Sequence, residues 1–360
     1  MKKTQVALAA LALVASTAAL ADVKVAGCVD AAVVNTKSGT VLGGAGDGCA
    51  SQIGFYANED LGGGLAASIN LETGFSTANG TLGNGGSAGN SSAVFNRLAN
   101  VGVGSKEAKV TLGLAKSAWI EAAGGGLTAF GGNGVGVPAL AILNPNLSGT
   151  SQTGGFFVGN IVGLSGDLGS FNYNLQTTVN KAANDGTTDP IKGTTDSYTA
   201  ARLSTNFAGA ALNLGYEART NKTGLTDSGG ASQDIDYTNL VVSGSYGVTS
   251  QLSINGAYAR QRKGSGDAAG NASQAGYVLG AGYKLTDSFG VGLTYARNDI
   301  AGANVKMTAL SAQYDLSKRT AIYANYADFS NATALNNGGT ATEAAGYSSS
   351  LISVGLQHAF

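Results

Sequence analysis

The chain has 360 residues, of which 56 are Gly and 3 are Pro; 12% are charged, and 21 Lys and Arg against 22 Asp and Glu leave a formal charge of -1. Soluble domains carry about 25% charged residues and about 7% Gly, so an ordinary soluble enzyme is disfavoured, while 43% hydrophobic residues with almost no net charge exclude the disordered class. No basic run or basic excess is present to neutralise phosphates, so no nucleic acid partner is expected.

At the start of the chain, Lys2 and Lys3 precede the apolar run Val6 to Val14, and Ala19-Leu20-Ala21 places small residues at the two positions a signal peptidase reads. The expected division is a signal peptide over 1–21 and a single domain over 22–360. Beyond that leader no apolar stretch approaches the roughly 18 residues a membrane-spanning helix needs. A closed barrel is then the remaining way across lipid; a secreted or periplasmic β-protein is the competing class.

Strands are expected over 23–34, 50–58, 64–75, 93–104, 108–116, 154–164, 170–179, 196–207, 209–219, 235–246, 250–261, 274–285, 288–299, 304–316, 319–330 and 347–360, sixteen in all. The signal is period-2 alternation. Phe171, Tyr173, Leu175, Thr177 and Val179 form one face, and Asn172, Asn174, Gln176, Thr178 and Asn180 the other. Tyr277, Leu279, Ala281, Tyr283 and Leu285 repeat the pattern, as do Leu212, Leu214 and Tyr216 against Asn213, Glu217 and Arg219. A soluble sandwich alternates too, but the spacing separates the classes. Short turns such as Glu59 to Gly64, Ser105 to Glu107, Ser165 to Gly169 and Thr286 to Ser288 alternate with long Gly/Asn/Ser/Thr segments near 35–50, 76–92, 117–153, 180–195, 220–234, 262–274 and 331–346. That is the pattern of an outer-membrane barrel, and one of about 16 strands is wide enough to hold water.

Two cysteines, Cys28 and Cys49, pass through an oxidising compartment, where an even count favours a bridge. A simple hairpin opposes it, because the strand offset would hold them roughly 20 Å apart at about 3.3 Å per residue. A bridge requires residues 38–48 to fold back into the barrel, and the two arguments balance.

Ser51-Gln52-Ile53-Gly54-Phe55, Glu59 to Leu65, Asn70-Leu71-Glu72-Thr73-Gly74-Phe75, Phe95-Asn96-Arg97 with Val101-Gly102-Val103, and Thr111-Leu112-Gly113 resemble the general porins of Gram-negative outer membranes. The start Val23 to Ala31 and the end Val354 to Phe360 are similar to that family's first and last strands. The resemblance covers the mature chain. It implies an all-β fold, a 16-stranded antiparallel transmembrane β-barrel with an inward-folded third external loop, assembled as a homotrimer in the outer membrane. The departures share one direction: Gln52 and Tyr56 stand where the family carries basic wall residues, Leu114 where Arg is common, Gln357 and Ala359 for basic residues near the end, and Ala26 for a tyrosine.

The third long segment, Ser117 to Thr153, is the candidate constriction; Glu121 is its one charged residue, beside Trp119, Phe130, Pro138 and Pro145. Either Glu121 faces basic wall residues across the lumen, setting a transverse field, or it is a solvated loop carboxylate. Strand parity sets Arg97 and Arg202 on the inward face, with Asp30 and Glu72 inward on neighbouring strands and Lys116 at the strand-to-loop junction. A cross-strand ion pair is the competing account of Arg97 and Glu72. Arg260 and Arg297 follow the lipid-face Tyr258 and Tyr295 by two positions, where either lipopolysaccharide phosphates or simple snorkelling suits them. Phe360 resembles the signal read by the barrel assembly machinery. One histidine, His358, and no Ser-centred elbow supply no nucleophile, base and orienter, so no enzyme, cofactor or metal site is expected. The function expected is a weakly selective diffusion channel for small hydrophilic solutes and ions, partnered by outer-membrane lipid and lipopolysaccharide; the alternative is a non-transporting surface or secreted β-protein serving adhesion or envelope structure.

Overall fold

The computed structural model describes residues 22–36, 39–43, 48–82, 93–128, 132–144, 156–179, 197–221, 235–263, 273–300, 303–331 and 350–360. The expected leader over 1–21 and much of the long connections lie outside them. The strands are β1 (Asp22–Thr36), β2 (Gly39–Gly43), β3 (Gln52–Gly62), β4 (Leu65–Gly74), β5 (Leu98–Gly104), β6 (Lys109–Lys116), β7 (Phe157–Leu168), β8 (Phe171–Thr178), β9 (Ser197–Phe207), β10 (Ala210–Asn221), β11 (Ile235–Gly247), β12 (Leu252–Lys263), β13 (Gln274–Lys284), β14 (Phe289–Ile300), β15 (Ala303–Asp315), β16 (Thr320–Ser330) and β17 (Ser350–Ala359). Two helices, α1 (Ala118–Gly124) and α2 (Gly132–Leu143), follow β6.

All pairings are antiparallel, and the sheet closes on itself through β1 and β17, with Cys28 opposite Ala359 and Thr36 opposite Leu351. The seventeen segments make sixteen staves, because β2 and β3 occupy one position beside β1: Thr36 to Ala32 pair with Gly39 to Gly43, and Cys28 to Asp22 pair with Gln52 to Asn58. The chain ends seal the seam, where Gly27 N–H donates to Phe360 O at 3.1 Å and Phe360 N–H to Gly27 O at 3.0 Å.

Alternation dictates which way each side chain points. On β16, Ile322, Ala324 and Tyr326 are exposed on the outside, while Tyr323, Asn325, Ala327 and Phe329 are buried within. Leu279, Leu310 and Val354 stand 55–58% exposed on the outer wall, where lipid replaces a protein core. No helix among the described residues is long and apolar enough to cross a membrane; the strands do so. Gly62, Gly63 and Gly64 turn the β3–β4 hairpin at φ of +81°, +62° and +81°, a backbone course that side chains disfavour.

The fourth stave differs from expectation. Residues 94–97 bend and the strand begins at Leu98. Asn96 explains this, since its side-chain amide accepts from Gly74 N–H at 2.8 Å and donates to Gly74 O at 3.2 Å, replacing the ladder bonds a strand residue would make. The two helices were also unexpected.

The inner wall is not uniformly polar. Inward positions on β11 to β16 include Val241, Ala257, Ala259, Val278, Ala296, Val305, Met307, Ala309 and Ala327, all buried. They form one apolar cluster with Trp119, Ile120, Ala122, Val135, Leu140, Ile142 and Leu143 from α1 and α2.

Candidate pore constriction

Residues 117–128 follow β6, and they and residues 132–144 pack against the inward side chains of β8 to β16: α1 against β8, β9, β10 and β11, and α2 against β12 to β16. Ser117 caps α1, its hydroxyl accepting from Ile120 N–H at 3.4 Å and bonding the Tyr198 hydroxyl at 2.8 Å. Gln176 on β8 clamps the same corner, accepting from Ala118 N–H at 2.8 Å and donating to Lys116 O at 2.9 Å. Further along, wall side chains donate to the segment's carbonyls: Ser243 to Ala122 O at 2.5 Å, Asn255 to Gly126 O at 2.8 Å and Asn298 to Ile142 O at 2.6 Å. The segment therefore has both its apolar side chains and part of its main chain satisfied by the inner wall. Gly215 permits the close approach, since a Cβ there would lie 2.5 Å from the Ala122 methyl carbon.

Charge gathers where α1 leaves the wall. Glu121, in the first turn of α1, lies 3.5 Å from the Arg202 guanidinium and accepts from Asn174 at 3.0 Å. Arg202 also donates to Asn172. Nearby, Arg97 pairs with Glu72, whose second oxygen accepts the Tyr56 hydroxyl at 2.5 Å, and the Arg97 guanidinium stacks 4.7 Å over the Phe157 ring. Lys116 lies within Coulombic range of Glu121, Arg97, Glu72 and Arg202, yet among the described residues it forms no ion pair. Each of the two acids is thus matched by an arginine, and the lysine is in excess.

The candidate residues separate into groups. Glu72, Arg97, Lys116, Glu121 and Arg202 come together. Arg97 does so by a route that parity alone does not give: it shares the parity of the exposed Val101 and Val103, and it turns inward because the strand ends at Leu98. Gln52 and Tyr56 lie on the same inner wall of β3, Tyr56 as a partner of Glu72. Asp30 does not line open water. It is fully buried, accepting from Tyr323 at 2.8 Å and from the main-chain N–H groups of Gly48 and Cys49 at 3.1 and 3.4 Å. Cys28 and Cys49 are joined, with Cα atoms 6.4 Å apart, Gly48 and Cys49 reaching back to the Asp30 carboxylate on β1. Phe360 sits at the closing seam. Arg260 and Arg297 are exposed on the outer face, and His358 there bonds Thr320 at 2.9 Å.

One cluster was not singled out. On β10, Glu217 and Arg219 pair at 3.0 Å, both buried, and Asn144 at the end of α2 donates to Glu217 at 2.9 Å while Arg219 lies 4.7 Å over the Tyr198 ring. Two opposite charges two residues apart on one strand face were the available signal, and the pair anchors the far end of the segment that α1 begins.

Residues 7–334 match the family model described as Gram-negative porin. The chain belongs to this family. Outer membrane porin protein 32 of Delftia acidovorans is 28% identical over 378 aligned residues, covering all of both chains. The fold is that of solved porins: an anion-selective porin from Comamonas acidovorans superposes with a TM-score of 0.68 at 21% identity, covering 94% of this chain and 100% of that one. A trimer form of Vibrio cholerae OmpT gives 0.65 at 16% identity, covering 94% and 99%, and Salmonella typhi OmpF in complex with daunomycin gives 0.64 at 15%, covering 94% and 97%. This porin is therefore a passive diffusion channel of the Gram-negative outer membrane, which decides against the adhesion alternative.

Proposed function

We propose that the porin is a weakly anion-preferring channel for small hydrophilic solutes, and that residues 117–128 and 132–144 fold inward to form its constriction. The observation that carries this reading is the excess cation: among the described residues, Arg97, Lys116 and Arg202 face Glu72 and Glu121 alone, and both acids are already engaged by arginines. A solute at this level meets one uncompensated ammonium among paired charges, which favours anions modestly instead of excluding cations. The anion selectivity named for the Comamonas acidovorans porin supports the same sign. We also read the chain as a homotrimer, a reading supported by the trimeric OmpT. Residues 1–21 are read as a signal peptide, lipid and lipopolysaccharide as partners of the outer face, and Phe360 as a signal to the assembly machinery; no catalytic step is assigned.

Planar-bilayer recording tests selectivity and assembly together. Insertion is expected as conductance steps in threes, with a reversal potential of anion-preferring sign in a KCl gradient. Lys116→Gln is expected to move that potential toward zero or past it at nearly unchanged conductance. An unmoved potential would remove Lys116 from the filter.

A further inference from the structure

We propose that the lumen holds a weak binding site for neutral polyhydroxylated solutes, small sugars and sugar alcohols, in a recess next to the charged cluster on the side of the short turns. The recess measures about 350 Å³ and is lined by Asp167, Ser170, Asn172, Ser204, Asn206 and Asn213. Register sets Asp167, Asn172, Ser204 and Asn213 side by side in one row across β7 to β10, at the roughly 5 Å spacing of neighbouring strands. That row faces the lumen, since Asn172 shares the parity of Asn174, which bonds Glu121 of α1. Asn174 and Arg202 stand opposite each other two residues away, about 7 Å along the strands. A solute leaving the charged cluster therefore meets this row next.

What the recess offers is neutral. The charges beside it are already engaged: Asp167 lies 3.6 Å from Lys106 and accepts from Asn172 at 2.9 Å, while Arg202 faces Glu121 and donates to Asn172. An ion entering here gives up hydration and finds no unpaired counter-charge. The remaining hydrogen-bonding capacity belongs to amides and hydroxyls. Asn213 gives an N–H to Ser243 at 3.4 Å, which leaves its carbonyl oxygen to accept. The Ser204 hydroxyl donates to Asn172 O at 3.4 Å and keeps its lone pairs. Asn206 is exposed and has no side-chain partner among the described residues. Donors and acceptors thus stand close together, as adjacent hydroxyl groups require. Asn172, held by Arg202 on one side and Asp167 on the other, fixes the middle of the row before anything binds. The volume, near the lower end of the range for ligand clefts, suits one hexose-sized molecule and not a chain of them. The inference rests on the constriction reading above; its readout is block by neutral solutes and not ion preference, so either can fail without the other.

The test is single-channel recording in about 1 M KCl, where a Debye length of about 3 Å removes long-range attraction. Sorbitol, triethylene glycol or potassium gluconate is added, and each current is normalised to bulk conductivity. Sorbitol is expected to reduce the open current saturably at millimolar concentrations, whereas triethylene glycol, of similar size but with hydroxyls only at its ends, reduces it linearly. Gluconate, the same carbon chain ending in a carboxylate, is expected to bind no tighter than sorbitol. Asn206→Leu is expected to raise the half-saturating sorbitol concentration several-fold, and Ser204→Ala to raise it by less. If Asn206→Leu fails to insert, Ser204→Ala carries the comparison. A sorbitol effect as linear as that of triethylene glycol, a saturable effect that the inserted variant leaves unmoved, or tighter binding of gluconate overturns the proposal.

Discussion

At the scale of single residues, the two carboxylates of the proposed constriction look alike in sequence and differ in what they hold. The Glu72 side chain is 7% exposed and serves both Arg97 and Tyr56, whereas Glu121 is 30% exposed and shares Arg202 with neighbouring amides. Removing the charge of Glu72 leaves the Arg97 guanidinium largely desolvated without its partner, a loss of about 3–5 kcal/mol for a broken buried pair. Removing that of Glu121 costs about 0–1 kcal/mol, as for an exposed pair, but adds a second uncompensated cation to the path. Glu72→Gln is therefore expected to lower the temperature at which the barrel melts in detergent, and Glu121→Gln to leave melting alone while strengthening anion preference in reversal-potential measurements. Equal effects of both substitutions on melting would contradict this division.

At the scale of elements, α2 is held by a hydrophobic core that exists inside the water-filled side of the barrel. Leu140 and Ile142 are buried against inward residues such as Ala257, Val278 and Met307. Leu140→Ala deletes buried contact worth about 2–5 kcal/mol, yet it touches no strand ladder. The expected outcome is a channel with larger and noisier conductance whose barrel melts as before, read by bilayer recording and by near-unchanged strand signal on heating; a barrel that loses strand structure earlier would show that α2 is part of the wall's stability. The strands themselves were legible, since lipid on one side and water on the other impose a strict dyad on β8, β10 and β13. The helices were not, because the Gly-rich segment 117–153 has no strong helical period, and its Gly and Pro punctuate it as a loop. The signal lay in the partner instead: Ala257 and Ala259, or Val305, Met307 and Ala309, place apolar residues on a face that should be wet, which marks a footprint on the inner wall. Asp30 failed as a pore residue for a related reason, since parity gives direction and not depth, and 48–51 cover it.

At the scale of the whole molecule, the barrel must join its two ends to have no open edge in lipid. That seam depends on β1 and β17 and on the reciprocal bonds between Gly27 and Phe360. The approach is tight: a Cβ on Gly27 would lie 2.8 Å from the Phe360 ring and 2.3 Å from Gln52 O, so glycine is required there. Two roles of Phe360 can be separated by chemistry. The main-chain bonds survive a change of side chain, whereas the proposed recognition by assembly machinery would read the aromatic ring. Phe360→Ala is therefore expected to fold in detergent and conduct as the parent does, but to accumulate poorly in the outer membrane of cells, measured by heat-modifiable migration of membrane fractions. Gly27→Val is expected to fail in both settings, because it forces the seam itself apart. If Phe360→Ala refolds as badly in vitro as it assembles in cells, the ring serves closure of the barrel and the recognition role is lost.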